Sequence, residues 1–233
     1  MKKLVLSGAI ILISSGVFAQ NKMAGNDARI GIKAGVNLSR IHYSGDDVSS
    51  LNDFSKNNVG YNFTVFGDFG VGNNFFIQPG ISLQNKGTKL EGTFPLGATT
   101  ITGTSTVNLM AIEVPVNAVF RIPTGNAGAL QISAGPYVGF NIDGQSKVKV
   151  TDGPGSELGT QKNDLKFGNE TSDNLTSTDF GANFGLAYRL NNGFSVGANY
   201  GLGLSNLVPK DSRENNNNKA TNRIIGFAVG YSF

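Results

Sequence analysis

Alternation is the feature that most restricts this chain. Its last stretch reads Ile225-Gly226-Phe227-Ala228-Val229-Gly230-Tyr231-Ser232-Phe233, with a large side chain at every second position and mostly small ones between. Successive side chains of a β-strand point to opposite faces, so a period of two makes one apolar face and one small or polar face. Seven earlier runs from residue 29 onward repeat the pattern, separated by clusters of Gly, Asn, Asp and Ser. No stretch beyond residue 19 holds the 3.6-residue apolar period of a helix. The 32 glycines and the absence of tryptophan point the same way. The fold class is all-β.

The first residues read as a secretory signal. Met1-Lys2-Lys3 is a positive leader, Leu4 to Ile13 is apolar, and Ser14-Ser15-Gly16-Val17-Phe18-Ala19 puts small residues before a cut between Ala19 and Gln20. The alternative, a retained anchor, fits less well, because a spanning helix needs roughly 20 apolar residues. The expected organisation is a signal peptide over 1–19, a short periplasmic segment over 20–27, and one domain over 28–233. The chain has no cysteine, which removes lipid attachment and disulfides. Loss of Lys2 and Lys3 brings 19 basic residues to 17 against 16 acidic ones. That near-neutral balance offers no basic patch for nucleic acid.

Eight strands are expected, over about 29–41, 59–70, 75–86, 107–121, 130–143 (with an extension to Val150), 177–190, 194–204 and 223–233. At about 10 to 14 residues they are long enough to cross a bilayer at a tilt. Connections 71–74, 121–129 and 190–193 are short, whereas 42–58, 87–106, 144–176 and 205–222 are long and polar. Such strict alternation is the pattern of outer-membrane barrels, with short periplasmic turns and long external loops. In hydrocarbon a sheet must close, since an open edge strands unpaired N–H and C=O groups. The mean hydropathy of −0.10 agrees with strands that give only every second residue to lipid. A soluble sandwich would bury the same faces in a core, but no second wholly apolar layer is present to receive them. The expectation is therefore an eight-stranded antiparallel transmembrane β-barrel, preceded by a cleaved signal peptide, in the outer membrane of a Gram-negative cell. The even strand number puts both termini in the periplasm.

The segments Gly31-Ile32-Lys33-Ala34-Gly35-Val36-Asn37-Leu38-Ser39, Ile112-Glu113-Val114-Pro115-Val116, Ala134-Gly135-Pro136-Tyr137-Val138-Gly139 and Asp179-Phe180-Gly181-Ala182-Asn183-Phe184-Gly185 resemble the PorT-like family of outer-membrane β-barrel proteins. So does the ending Gly230-Tyr231-Ser232-Phe233. The resemblance implies a small eight-stranded barrel. Some members of the family are linked to secretion across the outer membrane, but no residue here marks that role. Phe227, Val229, Tyr231 and Phe233 share one face, and they resemble the terminal signal read by the outer-membrane assembly machinery.

The inner face is rich in glycine and carries the charges Lys33, Asp68, Glu113 and Arg189, with Lys86, Asp143 and Asp179 nearer the loop end. Buried charges need partners. A network of Lys33, Asp68 and Arg189 at the turn end, and a basic partner for Glu113 across the lumen, are expected to fill an interior just wide enough for side chains. The alternatives are a proton or ion relay and a water-filled channel. His42, the single histidine, lies at the loop rim near Ser39, Ser44, Asp46 and Asp47, and a hydrolase would have to use it. Asp46-Asp47, and Asp173 with Asp179, lack the spacing of a calcium loop. Gly201-Leu202-Gly203 lies in a strand and is no phosphate loop. No cofactor or metal is implied. The functional expectation is a non-enzymatic structural or interaction protein. Its partners would be outer-membrane lipid, the assembly machinery during biogenesis, and an external ligand or protein at loops 42–58, 87–106, 144–176 and 205–222. A narrow porin, a secretion component and a hydrolase built on His42 are the alternatives.

Overall fold

A computed structural model describes residues 28–45, 48–97, 99–153, 155–213 and 217–233. The expected signal over 1–19, its cut between Ala19 and Gln20, the segment 20–27, and Asp46 and Asp47 lie outside the described residues.

The strands are β1 (Ala28–Ser44), β2 (Ser55–Lys56), β3 (Asn58–Gly72), β4 (Phe75–Leu96), β5 (Thr99–Pro123), β6 (Gly128–Asp152), β7 (Glu157–Asp164), β8 (Thr178–Leu190), β9 (Phe194–Gly203) and β10 (Lys219–Ser232). One helical turn, α1 (Leu51–Phe54), precedes β2. All ten strands belong to one antiparallel sheet. The ladder runs β1–β3–β4–β5–β6–β8–β9–β10 and returns to β1. The closing seam is unbroken from Gly31↔Ser232 to Ser44↔Lys219, and the Phe233 amide donates to the Ile30 carbonyl at 2.8 Å. Closure removes the open edge that lipid would not tolerate.

Among the described residues ten strands stand where the sequence suggested eight. The two extra ones lie outside the ring: β2 pairs with β4 at Leu90 and Lys89, and β7 pairs with β6 from Gln145 to Thr151. Residues 87–106, expected as a polar loop, are instead the continuation of β4 and β5, joined tightly through Gly97 (φ 60°). The reason lies in Thr99, Thr100, Thr102, Thr104 and Thr106. These side chains are polar enough to look like loop, yet β-branched and therefore suited to a strand. Residues 144–152 likewise extend β6, and 157–164 form β7 within the expected loop 144–176. β4 to β7 thus carry the same sheet beyond the ring as a projection.

The barrel is apolar outside and polar inside. Val36, Phe63, Leu83, Val116, Phe140, Phe184, Val196 and Phe227 are all exposed on its outer wall. Asn37, Asn62, Asp68, Gln78, Lys86, Glu113 and Asn222 are buried within it. At the turn end the β8–β9 hairpin is closed by Gly193 (φ 95°), where a Cβ would strike the Ser232 carbonyl.

On β4–β6 the polarity of the two faces then reverses. Outward, the row Leu83/Ile112/Phe140 gives way through Asn85/Met110/Asp143 to Lys89/Thr106/Lys147 and Glu91/Thr104/Lys149. Inward, Gln84/Ala111/Asn141 gives way to Thr88/Val107/Ser146 and Leu90/Ser105/Val148. The register is continuous through β4 and β5, with one bulge in the β5–β6 ladder at Met110/Ala111. The apolar band of the outer wall ends at this level on β4–β6.

Candidate functional site

Inward-facing residues meet because strand pairing stacks them in rungs, and three polar layers result. At the turn end, Asp68 on β3 accepts from Arg121 Nη2 (2.6 Å) and from Gln78 Nε2 (3.0 Å). The Arg121 guanidinium stacks 3.6 Å from the Phe76 ring centroid. Lys33 Nζ donates to Gln78 Oε1 (3.3 Å) and lies over the Phe66 ring, which occupies the space a Cβ at Gly31 would need. Arg189 sits at the same end on β8, opposite Ala129 and Ser195 in the ladder. The cation set directly against Asp68 is Arg121, which the sequence pattern marks only as the end of a strand. Its inward parity with Glu113 and Asn117 was the available signal.

The middle layer is amide and hydroxyl. Asn62 donates to Asn37 (2.8 Å), Asn37 to Gln84 (2.8 Å) and Gln84 to Ser82 (2.8 Å), which also bonds Thr64 at 2.7 Å.

The third layer holds most charge. Lys86 Nζ, wholly buried, donates to Glu113 Oε1 and to Asp179 Oδ2, both at 2.8 Å. Asp179 also accepts from Asn222 Nδ2 (2.7 Å), Ser205 Oγ (2.5 Å) and the Tyr137 hydroxyl (3.3 Å). One ammonium against two carboxylates leaves excess negative charge, and the neutral donors satisfy it. Glu113 therefore meets its cation on the neighbouring strand, not across the lumen as expected, and Asp179 shares that cation from β8.

Above this layer Leu207, from the connection between β9 and β10, packs fully buried against the inward Ile41 and Ala220. Inside the ring a cavity of about 80 Å³ remains, bordered by Lys33, Gln78, Gln131, Ser133 and Asn199.

His42 is exposed, whereas Ser39 faces inward and is fully buried, donating to the Asn58 carbonyl (3.3 Å) and accepting from the Gly87 amide (2.8 Å). The two lie on opposite faces of β1, so no Ser39–His42 pair forms. Among the described residues no three His, Asp or Glu side chains converge on a point that could hold a metal. Phe227, Val229, Tyr231 and Phe233 are all on the outer wall, and Tyr231 makes edge-to-face contacts with Phe194 (5.1 Å) and Phe233 (5.0 Å). Aromatic rings at this level suit a membrane–water interface.

The projecting sheet carries an open cleft of about 470 Å³ on its outward face, bordered by Lys89, Glu91, Thr104, Thr106, Lys147 and Lys149. Lys89 bonds Glu91 at 2.6 Å and holds that carboxyl below the usual carboxylate range.

Residues 18–208 match the family model described as an outer membrane protein beta-barrel domain. No curated protein matches the chain. Among solved structures the chain is similar to Ail, the attachment invasion locus protein of Yersinia pestis (15% identity, 89% of this chain and 99% of that one, TM-score 0.37). It is also similar to Neisserial surface protein A (11%, 89% and 100%, 0.42) and to the N-terminal barrel domain of Pseudomonas aeruginosa OprF (9%, 89% and 100%, 0.34).

Proposed function

Because the chain belongs to the outer membrane protein beta-barrel domain family and is thereby an outer-membrane protein, we propose that it is a non-conducting, non-enzymatic barrel that displays a structured sheet outside the cell. In this reading the eight strands of the ring cross the membrane. The short turns and both termini face the periplasm, and residues 1–19 are removed on export. The four quoted segments favour a PorT-like chain within the family. The terminal face of Phe227, Val229, Tyr231 and Phe233 is read by the assembly machinery.

One observation carries the proposal. The Lys86–Glu113–Asp179 cluster, with Tyr137 beside it, fills the lumen at a level where an ion would have to pass, and Leu207 packs above it. Eight strands leave room for side chains and little else. Function then moves to the projecting sheet, since rigid scaffolds commonly carry binding on their external connections.

The test is single-channel recording of the refolded chain in a planar bilayer, with folding first verified by the gel shift between heated and unheated samples. A folded, silent barrel is the expected result. Discrete ohmic steps would replace this reading with a narrow porin, in which Lys33, Asp68, Glu113 and Arg189 would set ion selectivity.

A further inference from the structure

We infer that the turn-end half of the ring interior holds a binding site for one small anion of halide type, built on Lys33 and a set of neutral donors. Ladder parity fixes which side chains face inward there, because cross-strand partners share a face. The inward charges are four cations, Arg29 and Lys33 on β1, Arg121 on β5 and Arg189 on β8, and one side-chain carboxylate, Asp68 on β3. The chain's terminal carboxylate belongs to Phe233, an exposed residue at the rim. Both oxygens of Asp68 are engaged, Oδ2 by Arg121 and Oδ1 by Gln78. Lys33 meets only neutral groups, the Gln78 amide oxygen at 3.3 Å and the Phe66 ring at 4.4 Å, with no carboxylate at salt-bridge distance among the described residues. The opposite excess, two carboxylates on Lys86, lies beyond the amide and hydroxyl layer.

The cavity of about 80 Å³ lies against this ammonium. Its origin is legible in the inward residues. On β8, β9 and β10 they are small at this level, Gly185, Ala187, Ser195, Gly197, Ala228 and Gly230, while Phe66, Phe76 and Arg121 fill the facing side. The space left takes an ion and a few waters. Its wall is rich in donors. Besides Lys33 it carries the hydroxyls of Ser133 and Ser195 and the amide of Asn199, and among the described residues none of these three side chains makes a hydrogen bond. Gln131, also on the wall, satisfies Arg121 with its amide oxygen, 2.7 Å from Nε and 3.1 Å from Nη2, which turns its NH2 group away from that cation. Among the described residues no carboxylate borders the cavity. A cation would therefore meet an ammonium and no acid, and an apolar guest would leave the donors unmatched. An anion answers the excess charge and the open donors together. One full charge on the wall and limited room favour a monovalent ion over phosphate, whose several oxygens call for more charged donors than Lys33 supplies.

The inference uses the closed ring and not the silence of the lumen, so the two are tested apart. The full chain is refolded in neutral micelles and unfolded in urea at constant ionic strength, with chloride replacing gluconate, an anion too large for the cavity. Binding to the folded state alone raises the unfolding midpoint in a saturable way. The general effect of exchanging a strongly excluded anion for chloride runs the other way. The wild-type midpoint should rise with chloride and level off, and bromide should act in the same manner. Lys33→Met keeps an apolar stem over Phe66 and should need roughly tenfold more chloride for half the effect, as loss of a charge-assisted hydrogen bond requires. Asn199→Leu keeps every charge and should need roughly threefold more, the share of a neutral donor. Lys162→Gln, exposed on β7, should respond like wild type. If Lys33→Met lacks the heat-dependent gel shift, Asn199→Leu decides alone. A folded wild type indifferent to chloride, or an equal response in wild type and in the folded Lys33 and Asn199 variants, would overturn the inference. Phosphate raising the wild-type midpoint more than that of Lys33→Met, with chloride inert, would overturn the choice of a halide. Ohmic steps in a planar bilayer from a chain that shows the chloride response would overturn the silent-lumen reading alone. A wild type without the gel shift would overturn the barrel reading and this inference with it.

Discussion

Lys86 has no exposed surface, and two carboxylates share its ammonium group. Removing the cation alone would leave Glu113 and Asp179 as uncompensated buried charges. Lys86→Met should therefore destabilise the folded barrel by about 3–5 kcal/mol, measured by urea unfolding in detergent. Lys86→Met/Glu113→Gln/Asp179→Asn should recover most of that loss, because neutral groups carry no charge-burial penalty. If the triple variant is no more stable than the single one, the cluster is not a coupled unit. Gly31 makes a steric prediction of the same kind. A side chain there would occupy the position of the Phe66 ring, so Gly31→Val should cost about 1–3 kcal/mol in overpacking, and Phe66→Ala in the same chain should relieve it.

β5 carries both environments on one outward face. Val114 lies on the apolar wall and Thr104 beyond the reversal of polarity, with regular alternation between them. Val114→Arg should cost about 2–4 kcal/mol, as a charge placed toward the bilayer interior does, and Thr104→Arg about 0–1 kcal/mol. Equal costs in the two unfolding titrations would mean that the boundary has been misplaced. The same strand shows what could be read from the chain and what could not. The alternation of Met110, Ile112, Val114, Val116, Ala118 and Phe120 was plain, because lipid demands an apolar side chain at every outward position. Residues 99–106 follow the same period of two, but with threonine on the outward face and no apolar band to announce it. Hydropathy therefore read them as loop. β7, all of it exposed, was invisible for the same reason: its pairing with β6 is a contact between strands and leaves no pattern within either.

At the scale of the whole molecule, the ring and the projecting sheet should separate. The ladder closes through β1 and β10, far from the tips of β4 and β5. Trimming the β4–β5 hairpin to residue 88 on one side and its partner 107 on the other, joined by Asn-Gly as a two-residue turn, should leave a barrel that keeps its heat-dependent gel shift and remains silent in a planar bilayer. Loss of the gel shift would show that the projection is part of the folding unit.

Period-two alternation, the strand-length runs and the alternating short and long connections determined an antiparallel barrel, apolar outside and polar inside, because a bilayer selects side chains one strand at a time. The same parity marked Lys33, Asp68, Glu113 and Arg189 as inward. Partnership was not determined in that way. That Asp68 meets Arg121 and that Glu113 and Asp179 converge on Lys86 both depend on the register between strands. Parity fixes which face a side chain occupies, but only hydrogen-bonded pairing fixes its height and its neighbour.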